Sequence, residues 1–277
     1  MKQLVGPSIG SKSWKGTILL VHGIGGHPVR TWSRASVQPW FERLTHTFQG
    51  LSVVSIDLSY ADRRVSETKL CRVLSQRLSD EIMSSGVLDR EIWIVGYSLG
   101  GVVIKDAVVA SSQRTSAFDK LLKKKLRGVV FLGVPHDGSS WAKWRLLFKL
   151  PSLRKTACAY NLACGGNFMS NLNAQYFTSR DDFDFSELDI REAKAPTMKT
   201  TFLGYPDFLP NWSLRPLGTV VSGEARMALQ RDSIVVDADH FELPKFEFDD
   251  AMSSIDIIEE MISTTLVASN EFADVSN

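Results

Sequence analysis

The sequence predicts an α/β fold, with a mostly parallel central sheet carrying helices on both faces and one helical insertion. Three observations carry that reading. Short β-branched runs alternate with longer helical patterns, which is the rhythm of βαβ units. The runs are apolar at successive positions rather than at alternate ones, as in strands covered on both sides. One interval, from Leu132 to Thr200, breaks the rhythm and shows no strand pattern. In chain order the strand runs are Thr17–Val21, Ser52–Ile56, Glu91–Val95, Gly128–Leu132, Thr200–Leu203 and Ser233–Val236. Helical patterns fall near 37–48, 66–84, 101–112, 117–126 and 249–265, with a frayed tail expected from Ser269. A structureless loop as long as the Leu132–Thr200 interval does not fit a compact domain. The reading is therefore a single domain over 1–277, with 138–197 as a helical cap or lid over the C-terminal edge of the sheet.

Composition narrows the function classes. The 277 residues include 32 Lys and Arg against 31 Asp and Glu, a formal net charge of +1. Such a balance lacks the clustered basic excess that phosphate backbones require, so no nucleic-acid partner is expected. The hydrophobic share of 44% supports a folded core. Three cysteines, Cys71, Cys158 and Cys164, do not make a disulfide framework, and no metal-ligand spacing appears. Met1–Gly16 carries no continuous apolar stretch of the signal-peptide kind. The expectation is a cytoplasmic protein that needs neither metal nor cofactor.

The chemistry gathers around Gly96-Tyr97-Ser98-Leu99-Gly100, which follows a strand and precedes a helix. G-x-S-x-G in that setting forms a sharp turn that lifts a serine hydroxyl above the sheet edge. Ser98 is the expected nucleophile. After the first strand, His22-Gly23-Ile24-Gly25-Gly26 offers backbone N–H groups that can approach a substrate oxygen closely. The N–H of Ile24 and that of Leu99 form the expected oxyanion hole. This loop lacks the spacing of a phosphate-binding motif. His22 is read as a structural histidine bonded to the loop backbone, and His27 as solvent-facing or near the mouth of the site.

Only His136 and His240 follow Ser98. His240 comes just after the last strand run, in Asp237-Ala238-Asp239-His240, and is the expected general base. The carboxylate that orients it should sit in a loop between the nucleophile and His240. Asp207, after the Thr200–Leu203 run, is the first choice, followed by Glu224 and then Asp137. Asp237 and Asp239 stand too close to His240 in the chain to orient its ring.

Four segments, LLVHGIGGHPVRTW, IVGYSLGGVVIK, FLGVPHDGSSWA and VVDADHFELPKF, together resemble the α/β-hydrolase superfamily. Within it they resemble the lipase-like serine esterases that include GPI-inositol deacylase-like proteins, and HGIGG also resembles small bacterial lipases. The resemblance spans about residues 17 to 246. It places the family's serine on Ser98, its histidine on His240, and its oxyanion residues on Ile24 and Leu99. Its acid falls near Asp207, where Asp207-Phe208-Leu209-Pro210 resembles an E-x-x-P pattern. The implied activity is hydrolysis of carboxylic esters, often lipid esters, through an acyl-enzyme. Thioester hydrolysis, acyl transfer or a silent binding role would use the same fold.

The insertion opens with Trp141–Leu150 (WAKWRLLFKL). On a helix, Trp141, Trp144, Leu147 and Phe148 share one side, and Arg145 and Lys149 another. That pattern suits either a lid packed on the core or peripheral membrane contact. Lys120–Arg127 is read as the solvated end of a helix.

Overall fold

The computed structural model describes residues 1–23, 26–34, 38–58, 67–136, 167–194, 233–245 and 254–274. Among the described residues seven strands form one sheet: β1 (Lys2–Val5), β2 (Gly16–Val21), β3 (Leu51–Ile56), β4 (Glu91–Tyr97), β5 (Leu126–Leu132), β6 (Ser186–Glu192) and β7 (Ile234–Val236). Their order is β1-β3-β2-β4-β5-β6-β7. Only β1 runs antiparallel to its neighbour. The described helices are α1 (Trp40–Thr47), α2 (Glu67–Ser85), α3 (Leu99–Ser112), α4 (Ala117–Lys125), α5 (Asn167–Ser179) and α6 (Ser254–Asp274).

Alternate strand residues feed two separate apolar layers, because successive side chains point to opposite faces. On one side Leu19, Val21, Ile94, Val129 and Phe131 pack with α2, α3, α4 and α5. On the other, Ile18, Leu20, Trp93, Val95 and Val130 pack with Trp40 and Leu44 of α1 and with Ile255, Ile258 and Ile262 of α6. Both faces being covered explains why these strands read as unbroken apolar runs. The KLLKKKLR run ends α4 and enters β5. Leu122 and Leu126 turn inward, Lys123 pairs with Asp182, and Ser116 closes a capping box at the other end of α4.

Two expectations change. The 138–197 interval is not wholly helical, since α5 is followed there by β6, an inner strand paired with both β5 and β7. Its sequence, SELDIRE, hides its identity because only one face is apolar. Leu188 and Ile190 join the α1/α6 layer, while Glu187 and Asp189 accept hydrogen bonds on the α5 side. The last helix continues to Asp274, beyond the point where a tail was expected. The Thr200–Leu203 run and Trp141–Leu150 lie outside the described residues. No helix among those described is long and apolar enough to cross a membrane.

Candidate active site

Ser98 stands between β4 and α3 with φ 53° and ψ −122°, the only positive-φ residue other than glycine among those described. Such a backbone is strained for a residue with a Cβ, and it persists only where surrounding contacts fix it. Those contacts are on either side. The Ser98 N–H donates to Leu132 O at 2.9 Å, and the Gly101 N–H donates to Ser98 O at 3.1 Å. A Cβ on Gly100 would stand 2.1 Å from Val21 O, and one on Gly96 would stand 2.5 Å from Ile104 Cδ1 and 2.7 Å from Gly101 Cα. Both glycines are thus needed for β4, β2 and α3 to meet tightly enough to hold the turn.

The Ser98 hydroxyl lies 3.2 Å from His240 Nε2, within hydrogen-bond distance, and both residues are buried. On the other side of the ring, His240 Nδ1 lies 3.5 Å from Glu192 Oε2. Glu192 ends β6 and is 3% exposed. Gly133 (φ 54°) leaves room for this pair, since a Cβ there would come within 3.0 Å of both Glu192 Oε2 and His240 Nδ1. Serine, histidine and glutamate therefore stand in line, contributed by the C-terminal ends of β4, β7 and β6.

His240 is held by its own turn. Asp239 Oδ1 accepts from the Phe241 and Glu242 N–H groups, both at 2.9 Å, which spends that carboxylate on the turn. The Tyr97 hydroxyl donates to His240 O at 2.9 Å, and Trp40 Nε1 donates to Pro244 O at 3.1 Å. Glu242 pairs with Arg34, tying the His240 turn to the loop that follows β2.

Leu99 opens α3, so its N–H is among the first-turn groups for which a helix supplies no acceptor, at the positive end of the helix dipole. The loop after β2 passes directly beside Ser98, where a Cβ on Gly23 would stand 2.9 Å from Ser98 Cβ. Ile24 lies outside the described residues, as do Asp207, Glu224 and Asp137. Of the expected catalytic set, the structure brings Ser98, Leu99 and His240 together. Glu192, which sequence reasoning passed over, stands at His240 Nδ1. The signal for it was the two-residue alternation of Leu188 and Ile190, ending on a carboxylate four residues before Pro196.

His22 and His27 have local partners. His22 lies buried behind the loop, with Nδ1 2.9 Å from Gly23 O and Nε2 accepting from the Leu58 N–H at 3.3 Å. It is bonded to the loop backbone as expected. His27 is half-buried, and its Nδ1 accepts from the Val29 and Arg30 N–H groups. Cys71 is buried in the apolar layer that α2 and α3 cover. Among the described residues, no group of His, Cys, Asp or Glu is arranged to hold a metal ion.

A second polar cluster lies on the opposite face of β6. His136 is fully buried, and its Nε2 is 2.9 Å from Asp189 Oδ1, while Ser233 Oγ donates to Asp189 Oδ2 at 2.5 Å. Asn173 donates to His136 O and accepts from Lys105 Nζ at 2.7 Å, and Lys105 is itself buried against Tyr176 and Phe131. Burial, followed by the charge of Lys105, lowers the His136 pKa, against the opposing pull of Asp189. Burial works to raise the Asp189 pKa, but His136, Ser233 and Lys105 together bring it below its ordinary value.

The folded protein thus disfavours the protonated form of His136, while the unfolded chain takes up that proton at about pH 6.5. The resulting stability is complete above about pH 6.5 and is lost as pH falls toward the depressed folded value. Asp189 adds a second loss below about pH 3.9. Melting temperature should therefore drop between pH 7 and pH 5. His136→Gln, which keeps a donor toward Asp189, should flatten that drop, and an unchanged slope in the variant would assign the acid sensitivity to other groups.

Comparison with known proteins places the fold. A family model described as "Alpha/beta hydrolase family" matches residues 18–254. The chain is 24% identical over 266 residues to the mouse protein SERAC1, covering 87% of this chain and 38% of that one. It is also 26% identical over 156 residues to its Bos taurus counterpart, covering 48% of this chain and 24% of that one. The chain thus spans well under half the length of these relatives. Among solved structures, a Bacillus licheniformis lipase superposes with a TM-score of 0.54 at 19% identity, covering 86% of this chain and 90% of that one. A structure from a study of carboxylesterases of the archaeon Nitrososphaera gargenis superposes with a TM-score of 0.55 at 11% identity, covering 93% and 92%. These similarities concern the fold. With the family model covering most of its length, this chain belongs to the alpha/beta hydrolase family.

Proposed function

We propose that this chain hydrolyses carboxylic esters through a Ser98–His240–Glu192 triad. The observation that carries the reading is the Ser98 hydroxyl held on a strained turn 3.2 Å from His240 Nε2. His240 Nε2 takes the hydroxyl proton as Ser98 Oγ attacks the ester carbonyl. Glu192 faces Nδ1, fixes the tautomer that leaves Nε2 free to accept, and stabilises the imidazolium that forms. The oxyanion is held by the N–H of Leu99, at the positive end of α3, with that of Ile24 as the proposed second donor. Removing one such donor typically costs about 3 kcal/mol of transition-state stabilisation. His240 then returns the proton to the departing alkoxide, and water, activated by the same ring, releases the acid from Ser98.

Lipid esters are the proposed substrate class. A lipase among the structures that share this fold supports it, as does the amphipathic pattern of Trp141–Leu150. That segment would cover the acyl chain and contact a lipid surface peripherally.

The test is hydrolysis of p-nitrophenyl esters from acetate to palmitate, with and without liposomes, beside labelling by a fluorophosphonate. Labelling, with rates that climb with chain length at an interface, is expected. Activity confined to short chains would make the substrate a soluble ester. A folded protein that takes the label but leaves every ester intact would move the substrate to thioesters or another acyl donor.

A further inference from the structure

We infer that Tyr97 is a positioning residue for the proposed reaction, and that its hydroxyl sets the placement of the His240 imidazole against Ser98. The inference rests on the triad reading above. Tyr97 is the last residue of β4 and the one immediately before the nucleophile, and it is buried. Its hydroxyl donates to the main-chain oxygen of His240 at 2.9 Å. Its ring also lies beside the imidazole, with centroids 5.1 Å apart and planes tilted by 36°. The other side of the phenol is fixed by Trp32, which meets it edge-on at 6.4 Å and is itself fully buried, its Nε1 donating to Ser55 Oγ.

One side chain therefore touches the base twice, through main chain and through ring, and is continuous in the chain with the nucleophile. The tie matters because β7 has only three residues, and His240 stands four positions beyond its end. The His240 turn borrows its rigidity from neighbours. The Tyr97 tie runs directly to the strand carrying Ser98. Burial, and then the charges of Glu192 and Asp239, hold the phenol pKa well above its ordinary value, so the hydroxyl remains a donor throughout the working pH range. A small drift of His240 would lengthen the Ser98 contact, and a misplacement of about 1 Å can cost a hundredfold in rate.

The experiment uses the full chain and four proteins: wild type, Ser98→Ala, Tyr97→Phe, and Tyr97→4-aminophenylalanine, whose ring amine donates from nearly the same point. Tyr97→Phe should lower kcat about tenfold to a hundredfold with KM within about twofold, because the phenol touches the base and not the substrate. Fluorophosphonate labelling should slow in parallel, and 4-aminophenylalanine should restore most of both rates. Melting temperatures report folding separately, and per-folded-molecule labelling keeps the comparison meaningful if Tyr97→Phe is less stable.

Wild-type kcat in folded Tyr97→Phe would overturn the inference. So would equal slowing in Tyr97→Phe and the 4-aminophenylalanine variant, which would make the effect one of packing. Unimpaired turnover in Ser98→Ala would instead remove the triad reading itself, whatever Tyr97 does.

Discussion

Ser98→Ala is expected to lower kcat on any ester this chain hydrolyses by at least about 10⁴-fold, and to abolish fluorophosphonate labelling while leaving the melting temperature close to wild type. The size follows from the mechanism. Without Oγ there is no acyl-enzyme, and what survives is the weaker catalysis of oxyanion donors and bound water. Stability is spared because alanine keeps the Cβ around which the turn is already built. The flanking contacts, Ser98 N–H to Leu132 O and Gly101 N–H to Ser98 O, are main-chain bonds that the substitution does not touch. Steady-state kinetics on purified variant and wild type, with active-site titration, check the result. Turnover within tenfold of wild type would mean that the reaction takes place elsewhere on the molecule.

Glu192→Gln should be nearly as damaging, lowering kcat by about 10³- to 10⁴-fold with little change in KM. Glutamine keeps the size of the side chain. Its amide, however, can present a donor to His240 Nδ1, which favours the tautomer with its proton on Nε2, and a ring so protonated cannot accept from Ser98. The same logic makes the corresponding carboxylate-to-amide change in a serine protease cost about 10⁴. The imidazolium formed during attack also loses its buried counter-charge. Asp207→Asn, Glu224→Gln and Asp137→Asn should each stay within about threefold of wild type. The four variants assayed side by side decide the acid, since a collapse in Asp207→Asn together with near-normal turnover in Glu192→Gln would return the role to Asp207.

The contrast between Ser98 and Glu192 shows what this sequence makes legible. The proposed nucleophile is written in local terms. A buried strand, two glycines that only a tight turn requires, and an apolar helix all lie within a few residues of Ser98, and each constrains the same geometry. His240 is readable by its order in the chain and by the strand before it. The acid has no such local mark, because a carboxylate is recruited by whatever the fold brings to it, and the chain holds 31 acidic residues.

Finding Glu192 required knowing that 186–192 is a strand, and that strand is disguised. Its outward periodicity is that of a half-polar edge, yet it is an inner strand whose polar face is satisfied by His136, Ser233 and Tyr176. The apolar strands β2 to β5 were plain because both of their faces meet hydrocarbon. β1 was missed for the opposite reason, being four half-exposed residues at an edge, with nothing in their pattern to set them apart from a loop.

The two-sidedness of β6 also makes its alignment a condition of chemistry. Glu192 faces His240, and Asp189 faces His136 across the strand. Sliding β6 by one residue against β5 would turn every side chain over. His240 would then meet the guanidinium of Arg191 or the methyl of Ala193 in place of a carboxylate, and Leu188 and Ile190 would be driven into the polar cluster around Lys105. Misalignment would thus be punished twice, by a cation at the base and by hydrocarbon among buried charges. The pairing Leu132↔Ile190 on one flank and Glu192↔Val236 on the other works as a gauge. A chain that has settled its sheet correctly has, by that act, also supplied the right charge to its proposed base.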